Sequence, residues 1–244
     1  MNKADKRFLE KIRSKVSKAI NDYKLINENE TVVVGISGGK DSMALLDILA
    51  NRRLSSPVKY RLKAVHVQLT DVPYYTDSEY LKSFCESRNI DFNLIIDEQK
   101  IIIPGKQPCF YCAWNRRKLL FEYTAGHKYQ KIALGHHKDD AVETLLMNMI
   151  QQGECSAFPV KLQMFDGQFE LIRPLIYTTG KELERYTKLI EYKPLPYDCK
   201  YAATNRREQI KSLIKQMYQI NPDAVSNIFN AMKRIDTKHL PLQK

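Results

Sequence analysis

The sequence predicts an α/β protein: a doubly wound parallel sheet with an N-terminal helix before it and a hairpin-plus-helical appendage after it. Three observations carry this. Short β-branched runs such as "TVVVGI" read as strands buried on both faces. These runs alternate with helical segments across the first 150 residues, the pattern of βαβ units. A glycine turn, "SGGKDS", joins the first such strand to a helix.

Taken in order, residues 5–24 carry Phe8, Leu9, Ile12, Val16, Ala19, Ile20 and Tyr23 at helical spacing, with a basic opposite face. This amphipathic helix is expected to fill residues 1–28. The α/β domain is expected over 29–158. It begins with "TVVVGI" and the helix "MALLDILANRRL", then continues with the strand "LKAVHVQL", a helix over 76–88 and the strand "DFNLII". A loop with Pro104, Gly105 and Pro108 leads to a helix over 110–126, the strand "KIALG" and the helix "DDAVETLLMNMIQ". From 159 to 244 the pattern changes. Asp166 and Gly167 separate two extended runs, a hairpin signal that fits an antiparallel addition. Helices are expected over 179–192, 203–220 and 222–235, the last with Pro222 at an early helical position.

The 244 residues hold 43% apolar side chains, enough for a sizeable core. No apolar run approaches a membrane span, and the charged start has no signal-peptide core, so a soluble, cytoplasmic protein is expected. The net charge of +11 favours a polyanionic partner. Five cysteines, with Cys85 and Cys155 far from the others, do not read as a disulfide framework.

The turn in "VVVGISGGKDSMALL" points backbone N–H groups and a helix N-terminus at one spot, the way proteins hold phosphate. Gly38 and Gly39 permit close approach, Ser37 and Ser42 add hydroxyls, and Lys40 adds charge. Asp41 at the edge of such a site makes sense as a magnesium ligand. The spacing is not that of a Walker A loop. A second polar block, "LGHHKDDAVETLL", ends the fourth strand and should face the same crevice. One of Asp139 and Asp140 is expected to cap the helix that follows. Cys109 and Cys112 fit a redox pair, half a zinc site, part of an iron–sulfur cluster or two core residues.

With Ser37, Gly38, Gly39, Lys40, Asp41 and Ser42 in the order S-G-G-x-D-S, the sequence resembles the PP-loop ATP pyrophosphatases, a HUP-like fold family that adenylates an oxygen and then displaces AMP. The resemblance implies that this loop holds the phosphates of ATP and that His66 and Val67 lie beside the adenine. Gly135, His136, Asp139 and Asp140 match the family's G-H-H-x-D-D motif, which implies that His136 and an aspartate approach ATP or the acceptor.

Within the superfamily, Cys109, Cys112 and Cys199 resemble the layout of the tRNA 2-thiocytidine synthetases, as does the tail "NPDAVSNIFNAMKRIDTKHL". That family uses a three-cysteine [4Fe-4S] cluster, whose open iron could hold sulfide. Arg116 and Arg117 stand where that branch has arginines and the thiouridine synthetases have a lysine. "PYDC" departs from the branch's P-C-x-x-C, leaving Cys199 as the sole ligand there. The resemblance thus implies an ATP-dependent tRNA sulfurtransferase acting on O2 of a cytidine in the anticodon loop. Lys40 and Arg116 would stabilise charge, Asp41 and Asp139 would hold Mg²⁺, and a cysteine desulfurase would supply sulfur. The basic first helix could serve RNA or the second subunit of a homodimer. The alternatives are lysidine-type chemistry, a cluster-free tRNA modification, or a non-catalytic sulfur carrier.

Overall fold

The computed structural model describes residues 1–70, 76–98, 108–195 and 206–239; the side chains at 108, 109, 206 and 207 fall outside that description. The chain divides into two compact units. The first holds Met1–His137 with Pro159–Ala203, and the second holds Lys138–Phe158 with Thr204–Lys244.

The first unit contains the sheet. Its strands are β1 (Thr31–Gly35), β2 (Arg61–Leu69), β3 (Asp91–Asp97), β4 (Lys131–Ala133), β5 (Lys161–Met164) and β6 (Phe169–Ile172). They lie in the order β3-β2-β1-β4-β6-β5. The five strands from β3 to β6 are parallel, and only β5 runs antiparallel, at the edge. The Asp166–Gly167 turn therefore makes the expected hairpin, but its second strand also joins the parallel core, pairing Ile172 with Ala133.

Alternate strand residues serve opposite faces, as the period of two requires. Val32, Val34, Leu62, Ala64 and Ala133 belong to the larger core. That core also takes apolar residues of α1 (Lys3–Asp22), α2 (Lys40–Ser55), α3 (Ser78–Glu86) and α6 (Gly180–Leu189). Val33, Val65, Val67, Ile132 and Phe169 form a smaller cluster with α4 (Pro108–Gly126). The sheet is therefore covered on both faces, which is why β1 reads as an unbroken β-branched run.

α1 begins under Asn2, whose side chain accepts from the Asp5 amide at 2.9 Å. It buries Leu9, Ile12, Val16, Ala19 and Ile20. α6 begins with a capping box between Thr179 and Glu182. These two helices and α2 are tied by a charge buried inside α2. The carboxylate of Asp47, with 5% of its side chain exposed, accepts from Arg88 Nε at 2.8 Å and Tyr186 Oη at 2.6 Å. Arg13 lies 3.6 Å away and donates to Tyr186 Oη at 3.0 Å.

The second unit consists of α5 (Lys138–Gln152), α7 (Arg206–Ile220) and α8 (Ala224–Ala231), packed on one another. Two expectations are corrected here. α8 starts after Asp223, so Pro222 precedes its cap instead of entering its first turn. Asp139 and Asp140 lie inside the first turn of α5, which begins at Lys138, so neither is the cap; both still favour the positive end of the helix dipole. Among the described residues, no helix is long and apolar enough to cross a membrane.

Asp47 provides a direct test of how the first unit is held. Asp47→Ala leaves Arg88, Arg13 and the Tyr186 hydroxyl without their shared acceptor in a buried place. The expected cost is about 3–5 kcal/mol of folding stability, read from the urea unfolding midpoint.

Candidate nucleotide site

The site is built where β1 stops. Gly38 has φ +76°, a left-handed conformation that a side chain would strain. A Cβ at Gly38 would also come within 3.0 Å of Leu195 Cδ1 and Thr76 Cγ2. The loop is closed by its own hydroxyls. The Ser37 amide donates to Ser42 Oγ at 3.1 Å, the Gly39 amide to Ser37 Oγ at 3.2 Å, and Ser42 Oγ to the Gly39 carbonyl at 2.9 Å. The N-cap of α2 is Gly39, and no side chain caps the helix. Its first N–H groups and the positive end of its dipole are thus presented as an anion cradle.

Lys40 and Asp41 open α2 and pair at 2.6 Å, both partly exposed. His137 Nε2 stands 3.8 Å from Asp41 Oδ1. The family motif assigns His136 an approach to ATP or the acceptor; the histidine beside Asp41 is its neighbour, the buried His137. The two loops touch because of Gly135. A Cβ there would lie 3.0 Å from the Ser42 amide nitrogen and 3.1 Å from the Asp41 carbonyl carbon, both backbone atoms.

Beside the loop is a cavity of about 130 Å³, lined by Ser37, His66, Val67, Arg116 and Arg117 among others. His66 is buried and its Nδ1–H donates to the Ile36 carbonyl at 2.8 Å. Burial lowers its pKa; the Ile36 bond opposes this, and the charge of Arg116 lowers it further. The neutral ring that results keeps its lone pair on Nε2. Arg116 comes from α4, one turn after Cys112, so the two share a helix face.

Ser37 to Ser42, His66, Val67, Gly135 and Arg116 therefore gather in the first unit. Asp139 is described within the second unit, where it is the electrostatic neighbour of Tyr218. Of the proposed cluster ligands, Cys112 is half-buried on α4, while Cys199 and the side chain of Cys109 lie outside the described residues. The donor set is thiolate alone, which suits iron–sulfur ligation and not magnesium. Cys85 is buried, and burial pushes its thiol up to about 12, so it is an inert core residue. Cys155 is exposed. Arg117 and His137 stand in the sequence reading beside Arg116 and His136, but only the first residue of each doublet is given a specific role at the site there. The signal was present in each case as the second member of a doublet.

Two outcomes follow from this geometry. Gly135→Ala drives a methyl into the backbone of α2's first turn and is expected to weaken ATP binding at least tenfold, measured by calorimetry, with the fold retained by circular dichroism. Arg116→Ala removes a charge that disfavours the His66 imidazolium, so the His66 pKa should rise toward 6.5 in an NMR titration. Because the lowered pKa makes the folded state lose stability as pH falls below 6.5, that acid-side loss should be smaller in Arg116→Ala.

The model of the PP-loop domain family matches residues 8–211. The tRNA-cytidine(32) 2-sulfurtransferase of Burkholderia cenocepacia is 35% identical over 238 residues, covering 96% of this chain and 72% of the relative. That of Methylococcus capsulatus is 35% identical over 245 residues, covering 98% and 83%. Among solved structures, the U34-tRNA thiolase NcsA from Methanococcus maripaludis, determined with its [4Fe-4S] cluster, superposes with a TM-score of 0.79. At 23% identity over 97% of this chain and 80% of the other, it shows the shared fold. On a likeness that spans nearly its whole length, the chain belongs to the PP-loop family, in the branch of the tRNA-cytidine 2-sulfurtransferases.

Proposed function

We propose that the protein uses ATP to replace O2 of a tRNA cytidine, in the anticodon loop, with sulfur. The observation that carries this is the placement of α4. Its first turns bear Cys112, and one turn later Arg116 lines the cavity beside the phosphate loop. A thiol and a nucleotide-facing cation on one helix face are what coupled adenylation and sulfur transfer require.

In the first step, Ser37 to Ser42 cradle the phosphates of ATP, and the base O2 attacks the α-phosphorus as pyrophosphate leaves. Lys40 and Arg116 neutralise charge that builds on the phosphoryl oxygens. Asp41 and Asp139 would hold Mg²⁺, and His137 beside Asp41 orients that carboxylate. Sulfur then replaces AMP at C2. Cys109, Cys112 and Cys199 would hold a [4Fe-4S] cluster, which when bound supplies an iron position able to carry sulfide. The target base must leave its stack to reach the cavity, which a loop nucleotide does at least cost.

A cysteine desulfurase is the matching class of sulfur donor, and the cytoplasm is the matching compartment. Lys3, Lys6, Arg7, Lys11 and Lys18 are exposed along α1, a face suited to RNA or to a second subunit of a homodimer.

The decisive measurement is mass spectrometry of nucleosides from tRNA incubated with the protein, ATP and sulfide under anaerobic conditions. 2-Thiocytidine should form. Lys40→Ala and Asp41→Ala should lower its rate about 100-fold or more without changing bound iron. Cys112→Ser should remove the iron while leaving ATP binding intact. A colourless, iron-free wild-type protein that modifies cytidine would overturn the cluster, and an absence of 2-thiocytidine would overturn the reaction.

A further inference from the structure

α4 has a second functional face. Trp114, Arg117, Lys118 and Phe121 stand at i, i+3, i+4 and i+7, so they form one continuous stripe down the helix. Trp114 is the chain's sole tryptophan, yet it is 51% exposed. Lys118 Nζ lies 5.7 Å from its ring centroid.

Facing the stripe is the β5–β6 turn. Phe165 there is 55% exposed, and its ring meets Phe121 edge-on at 6.1 Å. Phe165 and Asp166 have φ of +48° and +54°, a pair of left-handed residues that usually favours Asn or Gly. An aromatic ring is therefore held at a position where the backbone disfavours it. Stripe and turn enclose a groove of about 540 Å³, within the range of small-molecule sites.

Arg117 is the connection to the reaction, because it lines both this groove and the cavity beside Ser37 and His66. A second guanidinium adds to its field. Arg173, buried at the carboxyl end of β6, donates to the Pro159 carbonyl. Burial and then the charge of Arg117 lower its pKa to about 10. Cations gathered in a partly dry place favour an anion between them. Aromatic rings interleaved with such cations are the arrangement that holds unpaired nucleotides, with bases on the rings and phosphates on the charges. Glu122 also lines the groove, 3.8 Å from Lys118, which offsets its charge.

We infer that this groove seats an unpaired nucleotide of the RNA substrate adjacent to the target base, its base stacked on Trp114 and its phosphate held by Arg117. The inference rests on the reading of the chain as a tRNA-modifying enzyme. RNA is favoured over a second copy of the chain because the groove is cationic at the end nearest the nucleotide cavity and the protein carries a net charge of +11.

The sole tryptophan makes the test direct. The full chain is titrated with substrate tRNA and, separately, with ATP, following Trp114 fluorescence; labelled tRNA gives affinities at several salt concentrations. The tRNA should quench Trp114 and ATP alone should not. Trp114→Ala should weaken tRNA binding about 5- to 100-fold with ATP affinity unchanged, and Trp114→Phe should recover most of the loss. Arg117→Ala should reduce the slope of log affinity against log salt by about 0.7–1.

Unquenched Trp114 in a protein that binds tRNA overturns the inference and leaves the proposed reaction standing. Quenching by ATP alone gives the site to ATP and also overturns it. A dimer that dissociates in Trp114→Ala with tRNA affinity unchanged gives the groove to a second subunit. A wild-type protein that binds no tRNA overturns the functional reading and this inference together.

Discussion

The site depends on one pairing: β1 lies between β2 and β4, parallel to both. The chain first winds outward from β1 to β2 and β3, then returns to lay β4 on the other side of β1. The loops that leave β1 and β4 therefore diverge, and the gap at their ends is the switch point where open parallel sheets bind ligands. Register fixes how closely the loops meet. Val34 pairs with Ala133, so Gly135 arrives against the first turn of α2 with no room for a side chain. His137 then falls within 4 Å of Asp41. Had β4 joined the sheet one residue out of step, its side chains would face the wrong layers and this contact would be lost.

Much of this was legible in the sequence because the signals are local. The run Thr31–Gly35 is β-branched and buried, and the glycine loop behind it needs a positive φ that only Gly38 supplies cheaply. What stayed hidden was decided at a distance. The turn at Asp166 and Gly167 announces a hairpin, but nothing near it says that β6 will complete the parallel sheet against β4. That His137 is the histidine set beside Asp41 depends on how the backbone rotates between a strand end and a helix start, and residue type carries no record of that rotation. Asp139 and Asp140 are good cap residues by type, yet α5 starts at Lys138 and takes them into its first turn. The readings of Cys109 and Cys199 lie outside the described residues and rest on the sequence motif and the family likeness.

α4 shows how one helix can serve two purposes without a strong amphipathic signature. Tyr111, Asn115 and Leu120 are buried, Leu120 against the sheet. Arg116 lines the cavity beside Ser37 and His66, while Trp114, Lys118 and Phe121 line the groove. A helix with three occupied faces averages out in any periodicity measure. Its apolar residues look scattered until each face is given its own partner.

The phosphate loop is also less local than its sequence implies. The Tyr192 hydroxyl, buried, donates to the Gly38 carbonyl, and the side chain of Leu195 packs where a Gly38 side chain would be. Tyr192 is in turn wedged against Tyr80 and Phe84 of α3, with ring centroids 5.9 and 6.0 Å apart. The Lys193 amide donates to Tyr80 Oη at 2.9 Å. A segment more than 150 residues away along the chain thus backs the loop that its glycines merely permit. Each such bond is worth only about 1 kcal/mol net, but preorganisation is decided by which conformations are excluded. A glycine-rich loop with no outside support would sample many shapes. Held from behind by Tyr192 and Leu195, and closed from within by Ser37 and Ser42, its amides keep the inward curve that an anion requires.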